Sequence, residues 1–187
     1  KVISLSIIIF NCLKNLNFLT FIYYTLMSVN SRTFTGTTIL GSISEISGTI
    51  TTDSNITSIG KNAGVSTNSA VFIGTNSGSS NTTGMANIFI GKNSGRNNTT
   101  RNSNVFLGNF SGETNTGSEN VFIGNDTGKS NNGNQNVFIG NLVGKNNYGH
   151  HNVFIGHQCG ENNQLGSCNV FLGYQCGLNN VSGNNNL

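Results

Sequence analysis

The sequence predicts an all-β protein, a parallel β-solenoid (β-roll) of about eight coils of 14–17 residues each. Three observations carry that prediction. A short apolar unit recurs, as Asn120-Val121-Phe122-Ile123-Gly124 shows, with further copies at Ala70, Asn87, Asn104, Asn136, Asn152 and Asn169 and a weaker one at Thr57-Ser58-Ile59-Gly60. The glycines closing these units, Gly60, Gly74, Gly91, Gly108, Gly124, Gly140, Gly156 and Gly173, are spaced 14, 17, 17, 16, 16, 16 and 17 residues apart. A second glycine follows each of them by four residues, as Gly128 follows Gly124 and Gly144 follows Gly140. A fixed period this short dictates stacked repeats, each burying its apolar face on the next.

Within the unit, Val-Phe-Ile is the strand. The glycines Gly124, Gly128, Gly140 and Gly144 mark bends that need positive φ or a close approach of two backbones. The residue before the second glycine is nearly always small: Ala63, Ser77, Ser94, Ser111, Thr127, Val143, Cys159 or Cys176. That suits a cramped inward corner. Three residues after the second glycine stands Asn, in Asn81, Asn98, Asn115, Asn131, Asn147, Asn163 and Asn180. Asn tolerates left-handed backbone and, stacked at equal positions, can bond amide to amide from rung to rung. A third glycine (Gly84, Gly117, Gly133, Gly149, Gly166, Gly183) marks the last bend, where the change from 16 to 17 residues falls. So short a rung suggests two strands per coil, one of them polar. Coils spaced about 4.8 Å apart would make a rod of about 40 Å.

Strand side chains alternate, so Val121 and Ile123 face one way and Phe122 the other. A two-layer coil has one interior. With Val and Ile inside, Phe72, Phe89, Phe106, Phe122, Phe138, Phe154 and Phe171 form an outward apolar column, and a stripe of that kind marks an interface. The expected partner is the same chain, in a homo-oligomer. The alternative is a wider monomeric coil with Phe inside.

The flanks read differently. Residues 1–26 hold two apolar runs, Val2–Phe10 and Phe18–Leu26, broken by Asn11, Cys12, Lys14, Asn15 and Asn17. They read either as a signal or membrane anchor or as sequence upstream of a natural start at Met27. Residues 33–57 alternate Thr, Ser and Ile, and 27–56 reads as an N-terminal β cap protecting the first rung's edge. The repeat array fills 57–187.

Charged residues are only 8% of the 187, so Asn, Ser, Thr and Gly supply the polarity, and the net charge of +3 is scattered. No nucleic-acid footprint emerges. Arg96, Glu113, Lys129, Lys145 and Glu161 share one repeat position and would form a solvated edge, each pair worth under about 1 kcal/mol. No carboxylate pair is arranged for acid–base work, so the sequence predicts no enzyme, no catalytic residue and no cofactor. His150, His151 and His157 lie near Cys159, Cys168 and Cys176, as a zinc site would require. Against that, Cys159 and Cys176 occupy the small-residue position, where free Cys behaves as a small apolar side chain. The sequence therefore predicts no metal. A disulfide between them is geometrically conceivable. Sequons stand at Asn55, Asn81, Asn97, Asn98, Asn109, Asn125 and Asn180.

Asn-Val-Phe-Ile-Gly followed by Gly, Asn and Gly resembles the Asn- and Gly-rich repeat arrays of phage and virus tail fibres and other surface fibres. It is similar in style to the head repeats of trimeric autotransporter adhesins. It departs from those heads in having Phe where a small residue usually stands and in its 16–17-residue period. The resemblance implies a homotrimer and extracellular display on a cell or virion surface. It also implies a non-enzymatic fibre or adhesin shaft, a rigid spacer or attachment surface for a host receptor or glycan. The alternative expectation is a monomeric β-solenoid module binding glycan or ice through a polar Asn/Thr face. A membrane contact would run through residues 1–26.

Overall fold

The computed structural model describes residues 56–64 and 69–187. The leader reading of 1–26 and all of the cap except Ile56 lie outside the described residues, as do Cys12 and the sequon at Asn55. The described residues form one parallel sheet of eight strands in sequence order. The strands are β1 (Ile56–Ile59), β2 (Ala70–Ile73), β3 (Asn87–Ile90), β4 (Val105–Leu107), β5 (Val121–Ile123), β6 (Val137–Asn141), β7 (Val153–His157) and β8 (Val170–Tyr174). Each pairs with the next in strict register, so Phe106 lies against Phe122, Phe122 against Phe138 and Phe138 against Phe154. This is the stacked solenoid that the period predicts.

Two expectations need correction. Among the described residues each coil contributes one strand, not two. The rest of the rung is a succession of turns, because left-handed residues recur too often for a second extended run. The strand glycines lie at φ of 127–143°, and the residue two places on lies at 52–58° in every copy. The second correction concerns the phenylalanines. Phe72, Phe89, Phe106, Phe122, Phe138 and Phe154 are fully buried within the single chain and Phe171 nearly so. They form the core of the coil and not an oligomer interface.

The reason lies on the wall opposite the strand. A Cβ at Gly95, where φ is 56°, would stand 2.5 Å from the Phe89 ring, and equivalent Cβ atoms at the other second glycines from Gly78 onward would also strike the rung's Phe. The bare backbone there leaves a slot of one ring's thickness. Ring centroids from Phe89 to Phe171 succeed one another at 4.8–4.9 Å with interplanar angles of 4–12°. That distance is the spacing of hydrogen-bonded strands, so the rungs and the rings stack on one period. The small angles also mean little twist from rung to rung, whereas open sheets twist by about 20–25° per strand.

Leu142 is one cost of this geometry. It sits at φ 58°, a left-handed conformation in which Asn62, Asn76 and Asn93 stand in other rungs. A side chain other than Asn, Asp or Gly is strained there by about 1–2 kcal/mol. Leu142→Asn is expected to stabilise the protein by about 1 kcal/mol, read as a raised urea midpoint with an unchanged slope. An unchanged or lowered midpoint would show that the half-buried Leu142 side chain offsets its strain. Phe110 occupies the equivalent position at φ 57°, but Lys129 lies 4.7 Å over its ring, so that residue has a compensating contact.

Candidate functional site

Three surfaces of the coil carry side chains able to act on something else: the buried amide wall, the charged and histidine-bearing turns, and the outer sheet face.

The amide wall holds two ladders. The expected one is present from Asn115 to Asn180 but does not reach Asn81 and Asn98, whose buried amide nitrogens find no partner among the described residues: Asn131 Nδ2 donates to Asn115 Oδ1 (2.8 Å), Asn147 to Asn131 (2.7 Å) and Asn163 to Asn147 (2.6 Å). These residues are fully buried and are absent from the left-handed positions, so the left-handed reading of them is corrected. Their burial satisfies amides instead. The second hydrogen of each amide goes to a third-glycine carbonyl: Asn131 to Gly133, Asn147 to Gly149 and Asn163 to Gly166. Where a rung gains a residue, as at Gly166, the insertion lies between the Asn and this glycine.

Sequence reasoning missed the second ladder. Asn104, Asn120, Asn136, Asn152 and Asn169, which open the strands, are also fully buried. Each Oδ1 accepts the backbone N–H of the same residue one rung on, at 2.9–3.0 Å. Each Nδ2 donates to the third-glycine carbonyl of its coil, as Asn120 does to Gly133 and Asn136 to Gly149. The Gly133 carbonyl thus accepts from both Asn120 and Asn131, so one backbone oxygen ties the two ladders together. The signal was in view, since Asn opens every strand unit from Asn87 onward. The third glycines themselves need close approach rather than positive φ: a Cβ on Gly117 or Gly133 would collide with the next glycine's carbonyl.

The small-residue corner is also more than a matter of size. Ser77, Ser94 and Ser111 donate to the carbonyls of Phe89, Phe106 and Phe122 at 2.8–3.2 Å, and Cys159 Sγ donates to Phe171 O at 3.1 Å. Burial pushes the Cys159 thiol up to about 11, with Cys176 one rung away adding to the rise. Cys159, Cys168 and Cys176 are free. Cys159 therefore does a serine's work.

The histidines are placed separately. His150 Nδ1 accepts the Asn134 N–H at 3.0 Å, the task that Asn134 Oδ1 performs for Ser118 and Ser167 Oγ for His150. His151 takes a left-handed position before Asn152, and His157 stacks on Tyr174 with centroids 5.5 Å apart. Among the described residues no three His, Cys, Asp or Glu side chains gather as a metal site.

The charged edge is stacked as its spacing implies, but it is not solvated throughout, since Glu113 is buried between its two cations. Glu113 lies 3.4 Å from Arg96 and 3.5 Å from Lys129, and Lys145 lies 3.9 Å from Glu161. Lys129 also meets Asp126 at 2.9 Å, and that hydrogen bond is the main cause raising its pKa. The sequons are sorted by burial. Asn81 and Asn98 are buried, Asn180 is partly so, and Asn97, Asn109 and Asn125 are exposed.

The outer sheet face is the surface left without an occupant. Strand alternation sends two apolar columns outward, Val71 to Val170 and Ile73 to Leu172. Ile88, Ile90, Ile155 and Leu172 are 36–62% exposed, and the remaining members are half-buried by their neighbours in the columns. A shallow depression of about 360 Å³ at the β1–β3 end is lined by Ile56, Thr57, Ser69, Ala70, Val71, Ala86, Asn87 and Ile88, none of them ionisable. No family model, no curated protein and no solved structure matches this chain.

Proposed function

We propose that the chain is a non-enzymatic structural shaft, a stiff spacer or attachment surface displayed outside a cell or on a virion. The observation that supports this reading most is the continuity of the rung-to-rung bonding. From β3 to β8 every strand is tied to the next by backbone pairing, the strand-opening Asn column and a Phe stack. Such a body resists bending because every displacement breaks several bonds at once, and it lengthens by repetition. The tail-fibre resemblance of the Asn-Val-Phe-Ile-Gly unit supports display at a surface and attachment to a receptor or glycan.

A second reading, a monomeric solenoid module binding glycan or ice, is favoured by one observation. The Phe column is covered within a single chain, so a coil does not need a partner to close its core. Its binding face would be the half-buried amide column in which Asn146 donates to Asn162 and Asn162 to the exposed Asn179.

Two measurements test the shaft. Duplicating residues 120–135 should lengthen the body by about 4.8 Å per added rung without loss of thermal stability, read by X-ray scattering and calorimetry. A membrane-impermeant amine reagent should label the protein on intact cells or particles of its source. A chain that unfolds on rung duplication, or that is labelled only after lysis, would overturn the reading.

A further inference from the structure

We propose that the outer Val/Ile face is a contact surface for further copies of this same chain, laid side by side with their rungs level. The inference stands apart from the shaft reading. It rests on chemistry, shape and area.

The chemistry is uniform. Along all seven rungs from β2 to β8 the outward strand positions hold only Val, Ile or Leu. Beyond the strand glycine stand the neutral Asn109, Asn125 and Asn141, with Lys92 and His157 in the same column, and Glu119 lies on the opposite flank. Copies brought together through the strand positions themselves would confront no like charges, and the charged Lys92 and Glu119 would stay at the rim. A strip this long and apolar is at the size of the largest patches that monomers expose. Seven rungs at about 4.8 Å and strands of three to five residues give roughly 34 by 10–16 Å.

The shape selects the partner. The rungs follow one another with little twist, and their ridges repeat on the 4.8–4.9 Å period of the Phe stack. A globular surface has no such repeat and can seat only a rung or two. A copy of this chain carries the same period, so Val and Ile ridges can interdigitate along the whole strip, as dry sheet interfaces do. Two such strips bury roughly 700–1,100 Å² together, the size of a weak or transient interface. Association is therefore weak and concentration-dependent, tightened if the copies close into a ring.

The test uses the full chain in sedimentation velocity over a dilution series. Wild type should associate. Ile123→Lys combined with Ile139→Lys should sediment as a monomer with wild-type circular dichroism, since both side chains point away from the core. Gln164→Lys, on the exposed turn side, should associate like wild type. Hydroxyl-radical labelling of the wild-type chain should fall several-fold at Ile123 and Ile139 from the dilute to the concentrated end of the series. A wild-type chain that stays monomeric, or a double variant that still associates, would overturn the proposal. If the double variant does not fold, unchanged labelling at Ile123 and Ile139 overturns it just as well. A folded monomer leaves the shaft reading intact, whereas failure of surface labelling removes the shaft and leaves this interface standing.

Discussion

Phe122→Ala is expected to destabilise the protein by about 3–5 kcal/mol, the largest loss any single truncation should produce. The ring is fully buried and lies 4.8 Å from Phe106 and 4.9 Å from Phe138. Truncation leaves a hole that the coil cannot close. The strand wall is fixed by its pairing with β4 and β6, and the glycine wall by Gly112 N–H on Thr127 O and Gly128 N–H on Val143 O. Stability in a repeat stack depends on neighbouring interfaces, so the defect should also weaken the coupling of the rungs on either side. Urea denaturation should show a lowered midpoint and a shallower, less cooperative transition. Val121→Ala, on the outer face, should cost well under half as much. Equal losses for the two variants would show that Phe122 is not the core residue.

Asn136→Ala should cost about 3 kcal/mol through lost hydrogen bonds and a stranded donor. Asn136 Oδ1 accepts the N–H of Asn152 at 2.9 Å, and its Nδ2 donates to Gly149 O at 3.0 Å. Gly149 O keeps its bond from Asn147, but the buried N–H of Asn152 loses its partner. Hydrogen exchange at Asn152 should accelerate more than at Val105, two rungs before Asn136. Asn136→Asp sharpens the test. A carboxylate there is buried and lacks the amide's donor, so the folded state favours the protonated acid and raises its pKa above the unfolded value. The penalty is therefore full at neutral pH and shrinks as the pH falls, because the neutral acid can again donate to Gly149 O. A urea midpoint that rises on acidification relative to wild type is the expected result. A parallel pH dependence in the two proteins would refute the ladder at this position.

The strand, its register and the stacking of rungs were legible in the sequence because each is a matter of period. Asn-Val-Phe-Ile-Gly at intervals of 16 or 17 leaves only one way to align neighbouring copies, and the Asn131, Asn147 and Asn163 ladder follows from equal positions in equal rungs. The charge column from Arg96 to Glu161 was legible for the same reason. Which face of the strand is inside was not. Alternation separates Phe122 from Val121 and Ile123, but it is symmetric between in and out. The decision belongs to the opposite wall, where bare backbone at Gly128 makes a slot as thin as a ring. A slot is a relation between residues six apart that exists only once the coil has closed. The single strand per coil was decided in the same way. Phe110, Leu142 and Gln158 give no local sign of left-handed backbone, and they adopt it because the rungs above and below hold that turn in place. Local spacing thus set what stacks on what, whereas the space left inside the closed rung chose which side chain fills it.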